Sequence, residues 1–72
     1  MSSFQMIDSN TVQATVRGTE YTVVRRQYGF RVYVVNAMVR AYRNGYAIGK
    51  DFASLAAVEA AYKGLRGVAG AF

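Results

Sequence analysis

The sequence predicts an α+β fold, an antiparallel sheet of three to four strands with one C-terminal helix packed on one face. Three observations carry this reading: period-2 alternation from Thr11 to Arg26, the β-branched and aromatic run FRVYVV, and a helical apolar stripe after Ser54. With 72 residues the chain makes one domain, and a domain this small buries only about 60% of the surface its unfolded form exposes. At 53% apolar and 14% aromatic, without low-complexity runs, the composition is that of a folded chain.

Residues 1–10 show no period and read as a flexible arm that Phe4, Met6 or Ile7 could dock. Next, Val12, Ala14 and Val16 alternate with Gln13, Thr15 and Arg17, the pattern of a half-buried strand. Gly18-Thr19 reads as a two-residue hairpin turn, setting Arg17 opposite Glu20, Val16 opposite Tyr21 and Ala14 opposite Val23. Val12, Ala14, Val16, Tyr21 and Val23 then face the core, with Thr15, Arg17, Thr22, Val24 and Arg26 outward. Tyr28-Gly29 suggests a second turn into a strand whose Val32 and Val34 continue the core face, so Arg26 and Arg31 meet on the outer one.

Residues 36–43, NAMVRAYR, carry two signals. Asn36 suits the cap of a short helix, while Val39 and Tyr42 equally extend a strand toward the Asn44-Gly45 hairpin signal; the strand is the expectation, with YAIGK pairing back on AYR. Gly49 marks a bulge or a strand end. Ser54 caps the helix, along which Leu55, Val58, Tyr62 and Leu65 form one stripe, Glu59 and Lys63 an i,i+4 pair, and Gly67 the stop. In the tail VAGAF, Val68 or Phe72 either packs under the sheet edge or lies exposed as contact surface.

Composition narrows function by exclusion. The chain has no cysteine and no histidine, which removes thiol nucleophiles, thiolate and imidazole metal ligands, and the usual proton shuttle. The four carboxylates have structural readings: Glu20 against Arg17, Glu59 against Lys63, Asp51 before the helix and Asp8 in the arm. No catalytic residue, metal ligand or cofactor is assigned, and the expectation is a protein that is not an enzyme. The start MSSFQMIDSN lacks the charged and long apolar regions of a secretion signal, and no segment approaches the roughly 20 apolar residues of a membrane span, so a cytoplasmic protein without membrane contact is expected.

Net charge is +5, and six of the seven arginines lie between Arg17 and Arg43. With one helix and one sheet, the second sheet face has no cover of its own, and Arg17, Arg26, Arg31 and Tyr33, together with Arg43 and Tyr46, are the candidate partner-binding residues on it. Tyrosine and arginine concentrate at protein interfaces, and guanidinium groups interleaved with rings also bind nucleic acid. The bland reading of the same residues is a solvated sheet face whose long stems cover apolar area.

One stretch carries a resemblance. Asn44-Gly45, a short strand ending at Gly49, Asp51-Phe52, Ser54, Glu59 in the helix and Gly64-Leu65 before a glycine-rich tail resemble the second half of small phage inhibitors of CRISPR surveillance complexes, the type I-F anti-CRISPR proteins. The likeness covers the C-terminal part alone, and the arginine-rich middle departs from that pattern. It implies a phage-type protein in a bacterial host cell that blocks a host protein or nucleoprotein complex, such as a CRISPR effector. A small basic nucleic-acid-binding protein using the Arg/Tyr face is the alternative, and a homodimer pairing its own edges or faces is a third reading.

Overall fold

The computed structural model describes residues 4–42 and 48–72. Five strands form one antiparallel sheet in sequence order: β1 (Phe4–Asp8), β2 (Thr11–Val16), β3 (Thr19–Arg26), β4 (Gly29–Val35) and β5 (Ile48–Phe52). A short helix, α1 (Ala37–Tyr42), lies between β4 and β5; α2 (Leu55–Ala61) and two 3₁₀ turns, Lys63–Leu65 and Val68–Ala71, follow. The α+β class is as expected. The strand count is higher and the single helix is divided.

The expected arm is strand β1. Phe4 pairs with Ala14 and Met6 with Val12, and Phe4 packs against the core, while Met6 and Ile7 are half exposed at the sheet edge. The register shifts between Met6 and Asp8, a bulge that disturbs the ladder of an edge strand and so blunts it toward other chains. The turn after it is set by Asp8, whose Oδ1 accepts from Asn10 N at 2.7 Å.

The β2–β3 turn is Arg17-Gly18, not Gly18-Thr19. Both residues have positive φ, 50° and 80°, the backbone of a turn that matches strand twist. Val16 therefore faces Thr19, Thr15 faces Glu20, Ala14 faces Tyr21 and Val12 faces Val23. In this register all of Thr11–Val16 pairs, and Arg25 N donates to Asn10 O at 2.7 Å, tying the β1–β2 turn to β3. Each residue's partner moves by two positions, so the side chains of the paired residues keep their expected faces, while Arg17 leaves the ladder for the turn. The next turn is Gln27-Tyr28, with Gly29 opening β4 opposite Arg26.

Residues 37–42 are helical where a strand was expected. The Asn36 cap won: its Oδ1 accepts from Val39 N at 3.0 Å, and Val39 is buried, apart from the main core cluster. β5 consequently pairs with β4, Val34 against Ile48 through Phe30 against Phe52, and the described residues of AYR, Ala41 and Tyr42, are in α1. The Asn44-Gly45 turn lies outside the described residues.

The core is one layer of aliphatic groups, Val12, Ala14, Val23 and Val32 from the sheet under Val58, Leu65 and Val68. Ser54 caps α2 as expected, its Oγ accepting from Ala57 N at 3.2 Å. The helix stops at Ala61, because Tyr62 takes an extended backbone (φ −124°, ψ 106°). Five strands span roughly 19 Å at about 4.8 Å each, whereas one helix is about 10 Å wide, so a straight helix leaves part of the sheet bare. Breaking at Tyr62 lets the stripe residue Leu65 and then Val68 reach full burial as the chain crosses back over the sheet. Glu59 accepts from Ala69 N at 3.1 Å, binding α2 to the final turn in place of the expected pair with Lys63. Of the two fates for the tail, packing holds: Val68 is buried, and Phe72 lies edge-on to Phe30 at 5.7 Å with the Arg25 guanidinium 5.1 Å from its ring centre.

Tyr62 sits between two rings, 5.5 Å from Tyr21 and 5.7 Å from Phe52. Burial, with a smaller contribution from Tyr21, raises its pKa above the ordinary 10.0. The folded state thus holds the phenol proton more tightly, so this contribution to stability is complete below pH 10.0 and lost as pH rises through the raised value. Urea midpoints measured at about pH 9 and about pH 11 should fall less in Tyr62→Phe than in wild type. An equal fall in both proteins contradicts the assignment.

Candidate binding face

One sheet face carries α2 and the 3₁₀ turns; the other presents Gln13, Thr15, Glu20, Thr22, Val24, Arg26, Arg31, Tyr33, Val35, Gly49 and Asp51, none of them buried. Alternation puts them there, since each is directly paired with a neighbour on the same side. Across β3, β4 and β5 they meet at Tyr33. Arg26 Nη2 donates to Tyr33 Oη at 3.0 Å, and the Arg31 guanidinium lies 5.5 Å from the Tyr33 ring centre.

Gly49 makes this cluster possible. It stands in mid-strand opposite Tyr33, so it marks neither a bulge nor a strand end. A Cβ at this position would come within 2.9 Å of Arg31 Nε and 3.1 Å of Tyr33 Cε1, so the bare backbone lets both side chains lie flat across β5. Asp51, directly opposite Arg31, brings Oδ1 to 3.9 Å from Arg31 Nε. Both side chains are well exposed, 41% and 76%, and such a pair contributes under about 1 kcal/mol. The Nε atom itself is shielded from solvent and has no hydrogen-bond acceptor.

At the foot of the cluster an open groove of about 500 Å³ runs between the β3–β4 turn and the end of β5, walled by Arg26, Tyr28, Phe30, Arg31, Asp51 and Phe52. Tyr28, on its rim, is 90% exposed. A ring so exposed has no structural duty to the fold and is free to be desolvated by a partner.

Of the residues expected on this face, Arg26, Arg31 and Tyr33 are brought together. Arg17 is not with them; it is the first turn residue at the far end of β3. Arg43 and Tyr46 lie outside the described residues. Asp51 and Gly49 were missed as members of the face, because the signal for them is the β4–β5 register, which spans an intervening helix. Their inclusion changes the electrostatics. Among the described residues the face carries Arg26 and Arg31 against Glu20 and Asp51, so it is charge-balanced where a basic surface was expected.

Among the described residues no three carboxylates gather as a metal site would need, and no helix is long and apolar enough to cross a membrane. No family model, curated protein or solved structure matches the chain.

Proposed function

We propose that this chain is a non-catalytic binding protein that docks on a host protein or nucleoprotein complex through the Tyr33 cluster and blocks it. The observation that carries the reading is the Arg26–Tyr33–Arg31 arrangement on the sheet face opposite α2, beside a groove with Tyr28 at its rim. Arginine and tyrosine held in place before binding lose little side-chain entropy on docking, which is what makes such residues dominate interface energies. Among the described residues the charge on this face is balanced, which favours a protein surface over a polyanion. The resemblance of residues 43–72 to type I-F anti-CRISPR proteins makes a CRISPR surveillance complex the first target to try.

Tagged wild type and the triple variant Arg26→Ala/Arg31→Ala/Tyr33→Ala are to be passed over bacterial lysate with and without nuclease. We expect a defined complex retained by wild type after nuclease and lost from the variant, each truncation weakening binding by about 2 kcal/mol, or roughly 30-fold. The variant should stay folded, because the Arg26–Tyr33 bond is exposed and worth about 1 kcal/mol. Equal capture by both proteins would eliminate the face as the contact. Sedimentation at two concentrations tests the homodimer reading.

A further inference from the structure

We propose that Arg17, Lys63 and Arg66 form a basic corner that grips the phosphate backbone of duplex nucleic acid, at the end of the molecule away from the Tyr33 cluster. The fold brings two separate segments together here. Gly64 rests on the end of β2, where an added Cβ would stand 3.2 Å from Val16 Cγ2, and Gly67 comes up to Phe4, 3.7 Å from its ring edge. Phe4 pairs with Ala14 two residues before Val16, so the 63–67 segment runs across the ends of β2 and β1, over the strand from which the Arg17-Gly18 turn departs. β3 then leads through eight residues to Arg26, roughly 25 Å away. The corner is therefore a different surface from the sheet face, and the inference does not depend on the reading of that face.

All three cations are exposed, and none is within ion-pair distance of a described carboxylate. Each is followed directly by glycine: Arg17-Gly18, Lys63-Gly64 and Arg66-Gly67. A Cβ at Gly18 would meet nothing within 4 Å, and one at Gly67 would meet only Phe4. At Gly18 and Gly67, though not at Gly64, which packs on Val16, bare backbone beside a long cation allows close approach of an extended anionic strand.

Arg17 supplies a further sign. It holds φ 50°, a left-handed conformation that disfavours a long L side chain and that asparagine or glycine adopts readily. Keeping a cation at a strained turn position points to use of its charge. The occupant follows from what surrounds the charges. Among the described residues the corner pairs its cations with glycines and not with the exposed rings that anchor protein interfaces, and Tyr28, the most exposed ring among them, belongs to the opposite sheet end. With no described ring placed to stack on unpaired bases, the contact reads backbone alone, so a duplex is a sufficient ligand and its sequence is immaterial.

The test is fluorescence anisotropy of a short labelled DNA duplex titrated with the intact protein at several salt concentrations. Three neutralised phosphates predict an affinity that falls about 40-fold between about 50 and about 200 mM salt. The variant Arg17→Gln/Lys63→Gln/Arg66→Gln, with an unchanged circular dichroism spectrum, should lose most of that slope, by about 3 units on the log–log plot, while Arg26→Gln/Arg31→Gln keeps it. Arg17→Asn alone should raise the melting temperature and weaken binding together, a combination that a structural role for Arg17 does not produce. No duplex binding at low salt overturns the proposal, as does a slope unchanged in the triple variant. Polyglutamate competing as well as unlabelled duplex also overturns it, in favour of an acidic protein surface.

Discussion

Replacing Gly29 with alanine should cost about 4 kcal/mol or more, against about 1 kcal/mol for Gly18→Ala, although both glycines have positive φ. The difference is what a Cβ would meet. At Gly18 there is open space, so only backbone strain at φ +80° is added. At Gly29, φ is +146° and the new carbon would fall 2.3 Å from Phe52 O and 3.3 Å from Phe52 C, atoms of the neighbouring backbone that cannot swing aside. β4 and β5 must part at that end. The adjacent pair is Phe30 with Phe52, whose rings contact Phe72 and Tyr62 respectively, so the opening spreads into the aromatic edge of the core. A domain of this length holds roughly 4–11 kcal/mol in all. Urea unfolding followed by circular dichroism should show Gly29→Ala largely unfolded or strongly shifted, and Gly18→Ala folded. A Gly29→Ala midpoint close to that of Gly18→Ala would refute the close-approach argument.

The central strands were legible because their apolar residues alternate strictly, and the core-facing set Val12, Ala14, Val23 and Val32 follows from that period alone. Turn position was less legible. Gly18 suggested itself as the first turn residue, yet tertiary pairing placed Arg17 there; the faces survived only because the pairing moved by an even number. β1 escaped notice for the opposite reason, since the bulge at Ile7 sets two apolar residues side by side and hides the alternation of Phe4 and Met6. The division of the C-terminal helix has one weak local sign, Gly64, which the apolar stripe outweighs on paper. LAAVEAAYKGLRG keeps a helical stripe throughout, and the break at Tyr62 comes from rings of two strands, Tyr21 and Phe52, that meet it only in the folded chain.

For the candidate site, side-chain type was readable and company was not. Arg26, Arg31 and Tyr33 share a face by alternation on β3 and β4. Asp51 and Gly49, which set the charge and the space of that face, reach it from a strand beyond α1, at a register no local pattern specifies. Arg17 left the face through the turn shift, and Lys63 came to the end of β2 through the helix break.

Leu65 is where those consequences converge, and Leu65→Ala should cost about 3–5 kcal/mol, near the top of the range for a buried leucine. It is fully buried among Val12, Val58, Val68 and their neighbours, so truncation leaves a void that several rigid β-branched side chains cannot easily fill. Its own segment cannot compensate. The backbone around it forms 3₁₀ bonds, Leu65 N to Tyr62 O at 3.0 Å and Arg66 N to Lys63 O at 3.3 Å, followed by Gly67 at φ +92°. A short 3₁₀ turn has poorer hydrogen-bond geometry than a continuous helix, so its buried side chain carries more of its placement. Leu65→Met preserves volume and should cost under about 1.5 kcal/mol. Urea midpoints of the two variants measure this directly, and a Leu65→Ala cost under about 1 kcal/mol would mean that the turn is positioned by something other than Leu65. Because Lys63 and Arg66 flank Leu65, the alanine variant should also lose duplex affinity in the protein that remains folded, while the methionine variant keeps it. Packing at one residue would then set both the stability of the fold and the position of its cations.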